Sequence, residues 1–120
     1  MILVVRVRLV IDEDRSKLLS GVNLALFDRD KTDEDDFLAR GVTGVNGEAR
    51  LVFDSDQYTD QEDQPAWRLD SMPDLYVVVY NHQGEEIYST REQTAEDKLP
   101  DVILVPLPKE LVDRHRLMPG

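Results

Sequence analysis

Residues 41–53 read GVTGVNGEARLVF. Gly44, Val45, Asn46 and Gly47 form a turn signal, because Asn-Gly tolerates the positive φ of a tight turn. Ala49, Leu51 and Phe53 alternate behind it and so share one face of a strand. Ahead of it, Phe37 to Thr43 (FLARGVT) reads as the preceding strand. The stretch therefore predicts a β-hairpin over 37–53 and sets a period of two for its surroundings.

The same period continues upstream. Val22, Leu24 and Leu26 alternate in GVNLALF, a strand that ends at Asp28. In Leu3, Val5, Val7, Leu9 and Ile11 every odd position is apolar, while Arg6 and Arg8 stand between them. That is a half-buried strand with its odd face inward. Asp12 to Ser20 reads as a polar connection closed by Gly21.

Downstream, Asp54 to Pro73 has no clear period, and a polar stretch of that length in a compact domain is usually functional or locally folded. LYVVVYN (Leu75 to Asn81) is apolar on both faces, as a central strand should be. His82, Gln83 and Gly84 turn the chain into EEIYSTR (Glu85 to Arg91). VILVPL (Val102 to Leu107) is a last strand, with Pro106 marking an edge or a strand end. Pro108 stands at a helix-start position, and Leu111, Val112 and His115 are spaced for one helical face.

Seven short strands between turn signals predict an all-β fold in one domain, 1–120. It is a seven- or eight-stranded antiparallel β-sandwich with a short C-terminal helix. A closed barrel is the runner-up. The lack of long helical patterns excludes an α/β sheet.

The chain has 120 residues, no Cys and a net charge of −11. Disulfides, thiolate metal sites and Cys nucleophiles are excluded. The acidic balance argues against nucleic acid, whose phosphates need Lys and Arg. The apolar start is broken by Arg6 and Arg8 and is far shorter than the ~20 residues of a spanning helix, and it has no cleavage signal. The expectation is a cytoplasmic protein without a membrane span. The charge is uneven: residues 28–63 hold twelve acidic and four basic residues, a net −8, and the rest of the chain carries only −3.

GVNLALFDRDKTDEDDFLARGVTGVNGEARLVFD resembles the transthyretin-like, or prealbumin-like, superfamily. The resemblance rests on Asp28 and Asp30 in D-x-D form, the acidic pair Asp35 and Asp36, and Thr43 to Gly47 closing the next strand. Leu51, Val52 and Phe53 follow, and PDLYVVVYN resembles a later strand of the same family. It covers residues 20 to 81. The superfamily implies a β-sandwich and spans carriers, hydrolases, dioxygenase domains and adhesive modules, so it specifies fold more than function. Its hydroxyisourate hydrolases carry an N-terminal His, a central Arg and a C-terminal Y-R-G-S. Here the first strand has no His, the chain ends Leu117, Met118, Pro119, Gly120, and only Arg50 lies near the central Arg. Its intradiol dioxygenases use two Tyr and two His on iron, and with only His82 and His115 no such set is recognisable.

The acidic segments are the sharpest chemical feature. Asp28, Asp30, Asp35 and Asp36, joined by Asp54 and Asp56 after the next strand, form a candidate metal site. Calcium suits it best, because that ion takes six to eight oxygens from loops, and sandwiches of the C2 kind hold it in this style. The run is not an EF-hand, since Asp33 stands where that motif needs Gly. The bland reading is a solvated acidic loop that keeps the domain soluble and blunts sheet edges. His82 and His115 read as surface histidines, and the adjacent Glu85 and Glu86 point to opposite faces of a strand, so they make no acid/base pair. Tyr58, Trp67, Tyr76, Tyr80 and Tyr88 could form a sugar- or peptide-binding platform, although packing explains such aromatics more often. Tyr76 and Tyr80 share one strand face.

The functional expectation is a non-enzymatic binding or interaction module whose acidic loops bind a divalent cation, calcium. Its partner is an unidentified protein or a second copy through sheet edges. The alternatives are a small hydrolase built on Arg50 and a His, which would bring those residues into one pocket, and a purely structural assembly domain.

Overall fold

The computed structural model of the protein describes residues 1–29, 34–57, 73–93 and 100–119. Its elements are β1 (Ile2–Ile11), β2 (Asp14–Ser20), β3 (Asn23–Asp28), β4 (Asp36–Val42), β5 (Glu48–Asp54), β6 (Leu75–Tyr80), β7 (Glu86–Ser89), β8 (Val102–Leu107), α1 (Lys109–Arg114) and the two-residue β9 (Met118–Pro119). They form an all-β sandwich of two sheets with one short C-terminal helix, as the alternation predicts.

β1 is the spine of the first sheet. Its residues Arg6 to Arg8 pair with both β5 and β8, so these strands flank it. β2 pairs with Val10 and Ile11, which β8 also pairs, so β2 continues on the β5 side. The β1·β5 ladder is antiparallel and the β1·β8 ladder is parallel, so the sandwich is not wholly antiparallel. The second sheet runs β4-β3-β6-β7, antiparallel throughout. β6 lies between two neighbours there, and Leu75 to Val79 are all buried.

The odd residues of β1 (Val5, Val7, Leu9, Ile11) meet Leu24 and Leu26 of β3 and Leu75, Val77 and Val79 of β6 in one core. Leu9, Leu19, Leu24, Leu26, Leu51, Leu75 and Leu107 are fully buried, each contributing about 1.5–3 kcal/mol over an exposed position. α1 closes one end with Val112, also in the core.

Two local readings are corrected. Residues 12–20 are not a plain connection. Asp14–Ser20 is a strand whose first four residues are exposed; its register with β1 jumps from Ile11↔Asp14 to Val10↔Leu18, so residues 15–17 fall in an irregularity and show no apolar alternation.

Residues 37–53 keep the expected turn but not the expected hairpin pairing. The turn is present: Gly44 N–H donates to Glu48 O at 2.8 Å, Gly47 N–H to Gly44 O at 2.9 Å and Glu48 N–H to the Asn46 side chain at 3.1 Å. The flanking strands, however, do not pair. β4 joins β3 in one sheet and β5 joins β1 in the other. They face each other across the core, with Gly41 so close to Leu51 that an added Cβ would lie 2.6 Å from its Cδ2. Turn chemistry and alternation are the same for a hairpin and for a corner between sheets, so the sequence reads as either.

Beyond the end of the β3·β4 ladder, Thr43 takes over the pairing. Gly21 N–H donates to its carbonyl at 2.7 Å, its N–H donates to Val22 O at 3.0 Å, and its Oγ1 accepts from Val22 N–H at 3.0 Å.

Gly47 turns at φ +73, and a Cβ there would lie 2.9 Å from Leu18 Cβ and 3.0 Å from the Leu9 carbonyl. Gly84 has φ +83 and open space around it. Both alanine substitutions therefore incur the left-handed penalty of about 1–2 kcal/mol. In urea unfolding, Gly84→Ala should cost that amount and Gly47→Ala clearly more, because only the latter also forces backbone apart.

Candidate functional site

The acidic loop starts and ends in register. Asp28 closes β3, Asp36 opens β4, and the two are paired. Asp54 ends β5 and Asp56 follows it. The Gln57 side-chain amide donates to Leu38 O at 2.8 Å and so holds that segment against the start of β4. Both acidic segments thus reach the same end of the sandwich. Asp30 lies outside the described residues.

These carboxylates carry structural contacts. Asp28 Oδ1 accepts the Asp74 N–H at 2.7 Å, while Arg29 N–H donates to Asp74 O at 2.8 Å, tying the end of β3 to the entry of β6. Asp35 receives Arg91 at two oxygens, Nε to Oδ2 at 2.7 Å and Nη2 to Oδ1 at 3.3 Å. The Tyr76 hydroxyl donates to the same Oδ2. The Arg91 guanidinium also sits 6.0 Å from the Tyr76 ring centroid, within cation–π range, and Arg29 Nη1 donates to Arg91 O at 3.2 Å. Asp54 Oδ1 accepts the Asp56 N–H at 3.0 Å and the Met1 ammonium at 3.2 Å. Those two contacts, the amide first, hold its carboxyl below the usual aspartate range. Asp35 in turn raises the pKa of Arg91. Among the described residues no group of three or more His, Asp or Glu converges closely enough to hold a metal ion.

The aromatic residues fall on both sides of the second sheet. Tyr76 and Tyr80 share the outer face of β6, as expected. Tyr76 is buried, stacked on Phe27 at 5.4 Å and 13°, and Phe27 meets Phe37 edge-on at 5.7 Å. Tyr88 packs against the core. Tyr58 and Trp67 lie outside the described residues. The described tyrosines therefore serve packing first.

The sequence reading missed the outer face of the first sheet. Ile2, Val4, Arg6 and Arg8 alternate outward on β1. Their neighbours are Asp54, Val52, Arg50 and Glu48 on β5, with Val102 and Leu104 beside Arg6 and Arg8 on β8. Ile2, Val4, Val52 and Leu104 are exposed, Ile2 at 64%. Glu48 is shared by Arg8, through a hydrogen bond, and by Arg6 at 3.8 Å. Arg50 has no ion-pair partner among the described residues. The signal was present in the even positions of β1, but only the register shows that β5 extends it.

His82 and His115 are not isolated. They line one hollow with Gln83, Arg114 and Arg116. Arg50 stands on the outer face of the other sheet, so the arginine–histidine constellation of the hydrolase alternative is not assembled.

No protein-family model and no curated protein matches this chain. Among solved structures, it is similar to part of a 9R-lipoxygenase from Cyanothece PCC8801, with a TM-score of 0.53 and 20% identity. The match covers 88% of this chain and 16% of that one. A likeness of this kind speaks to the sandwich fold alone. No helix among the described residues is long and apolar enough to cross a membrane.

Burial, and then the bond to Asp35, push the Tyr76 hydroxyl up from 10.0 to about 12. Below pH 10 both folded and unfolded chains keep this proton, and its stabilising contribution is complete. Between pH 10 and 12 only the unfolded chain loses it, so stability falls as pH rises, by at most about 1.4 kcal/mol per pH unit. Urea unfolding across pH 9–12 should show a shallower alkaline decline for Tyr76→Phe than for the parent chain. Equal slopes would mean that the folded chain does not hold the Tyr76 proton above its ordinary range.

Proposed function

We propose that this chain is a non-enzymatic interaction module that docks a protein partner on the outer face of its first sheet. The observation that carries the reading is the exposed apolar group Ile2, Val4 and Val52, bordered by Arg6 and Arg50, with Leu104 beyond them beside Arg8, in a chain whose net charge is −11. Exposed apolar area bordered by charge marks a docking surface more often than a solvated one. Arginine is favoured in such surfaces because its planar fork binds carboxylates in pairs. The fitting partner presents an apolar strip with an acidic rim.

The transthyretin-like kinship belongs to this proposal. Its support is the order of the pieces: a strand ending at Asp28, the acidic loop, a strand ending at the Thr43–Gly47 turn, an apolar strand, and Pro73 before β6. Among the roles that superfamily implies, an interaction module agrees best with the exposed face.

A photo-crosslinking residue at Val52 should capture a protein partner in cells, and one at Val45, on the corner between the sheets, should not. Arg6→Glu with Arg50→Glu should abolish the capture while leaving the thermal midpoint within a few degrees. Equal capture from both positions removes the reading.

Calcium at the acidic end is the second reading. It is favoured by the placement of Asp28, Asp35 and Asp36 toward the same end of the sandwich as Asp54 and Asp56. The ion would have to draw Asp35 away from Arg91. On this reading millimolar calcium raises the thermal midpoint relative to a chelator, since a ligand of the folded state must stabilise it, and Arg91→Gln strengthens the effect. An unchanged midpoint removes the calcium reading.

A further inference from the structure

The hollow that holds both histidines is formed by two elements far apart in sequence. From the β6–β7 turn come His82 and Gln83; from the end of α1 come Arg114, His115 and Arg116. It encloses about 330 Å³. Among the described residues its lining includes no carboxylate, in a chain with 25 acidic residues.

Both walls are built. On the turn, the buried Asn81 accepts the Gln83 N–H at 3.0 Å and the Glu85 N–H at 2.9 Å through its side-chain oxygen. Its amide donates to the Glu85 carboxylate at 3.2 Å. The turn is thereby fixed and Glu85 is held by Asn81, while on α1 Arg114 Nη2 donates to Glu110 Oε1 at 2.6 Å. On the helix side, the Leu117 N–H returns to Val112 O at 3.0 Å. The two walls are joined where His82 Nε2 meets the Arg116 carbonyl at 3.2 Å.

Arg116 is the second observation. It ends the helix at φ +53 and is the one non-glycine residue of positive φ among those described. That position normally takes Gly or Asn, and another residue there costs backbone energy. The basic run has a bland explanation, since cations suit a helix C-terminus. That explanation needs no arginine at the left-handed position itself and no His82 on the opposite wall.

A second hollow of about 350 Å³ shares His82 and Gln83 and is otherwise lined by Asn23, Arg40, Tyr80 and Gly84. The two therefore share a wall, and the second adds Arg40, an aromatic face and an amide.

We infer that these joined hollows bind a small organic oxyanion. Its phosphate or carboxylate group sits among His82, His115 and Arg116, with Arg114 shared between it and Glu110, and its body lies along Tyr80 and Asn23. Charge-assisted hydrogen bonds from arginine provide the affinity, and the tyrosine face provides the preference for a flat body. The site is independent of the proposed docking face, which lies on the other sheet.

Amide chemical shifts of the full chain would be followed during titration with inorganic phosphate, phenyl phosphate and benzoate, with sodium chloride keeping ionic strength constant. Saturable shifts at His82, Gln83 and Arg116 are expected with phosphate. Phenyl phosphate should bind more tightly and also shift Asn23 and Tyr80; whether benzoate matches it assigns the site to carboxylates or to phosphates. Arg116→Gly should raise the thermal midpoint by relieving the backbone, yet weaken phenyl phosphate binding roughly tenfold, the loss of about one charge-assisted contact. Arg50→Gln, on the other sheet, should leave binding unchanged. Shifts no larger than chloride produces, or full affinity in Arg116→Gly, would overturn the assignment.

Discussion

Gly41 has no side chain, and Leu51 fills the place where one would stand. This contact lets two strands that are neighbours in sequence lie face to face instead of edge to edge. The corner at Gly44 to Gly47 turns the chain from one sheet to the other, and Gly47 passes close to the Leu9 carbonyl because it, too, lacks a Cβ. Much of the arrangement depends on that closure. β5 becomes available to pair with β1, Ala49 and Leu51 enter the common core, and the start of β4 comes to the same end of the sandwich as the finish of β5.

β1 transmits the consequences outward. A strand paired on both edges must alternate strictly, so its odd residues fill the core while Arg6 and Arg8 share the outer surface with whatever β5 and β8 bring there. Those strands bring Val52, Arg50, Glu48 and Leu104. Charge is thereby segregated: acid gathers at the loop end, and arginine gathers on one sheet face. A net charge of −11 describes neither surface. Long-range repulsion of anions by the whole chain and local attraction at the arginine face oppose each other.

The acidic end illustrates how density and availability differ. Twelve acidic residues between 28 and 63 suggest ligands. In the folded chain Asp28 holds the entry to β6, Asp35 is gripped by Arg91 and Tyr76, and Asp54 receives the N-terminus. Each of these partners is at least 41 residues away in sequence. The reverse holds for the histidines. They look isolated along the chain, yet His82 meets the Arg116 carbonyl across 34 residues and shares a cationic hollow with His115.

The alternation in Leu3 to Ile11, Val22 to Leu26 and Ala49 to Phe53, the doubly apolar Leu75 to Val79 and the Asn-Gly turn were enough to establish an all-β sandwich and the inward faces of β1, β3 and β5, because a side chain's direction on a strand repeats every two residues and is a local property. Pro108 likewise marked the short helix. Pairing is not local. That β4 and β5 part into different sheets, that β8 runs parallel to β1, and that exposed Asp14 to Lys17 are strand all follow from backbone partners and side-chain volumes distant in sequence. The fate of each charge was equally hidden. Sequence shows where carboxylates and arginines are dense, but folding assigns Arg91 to Asp35, leaves Arg50 on an exposed face and brings His82 to Arg116, since those distances exist only once the two sheets have closed on a common core.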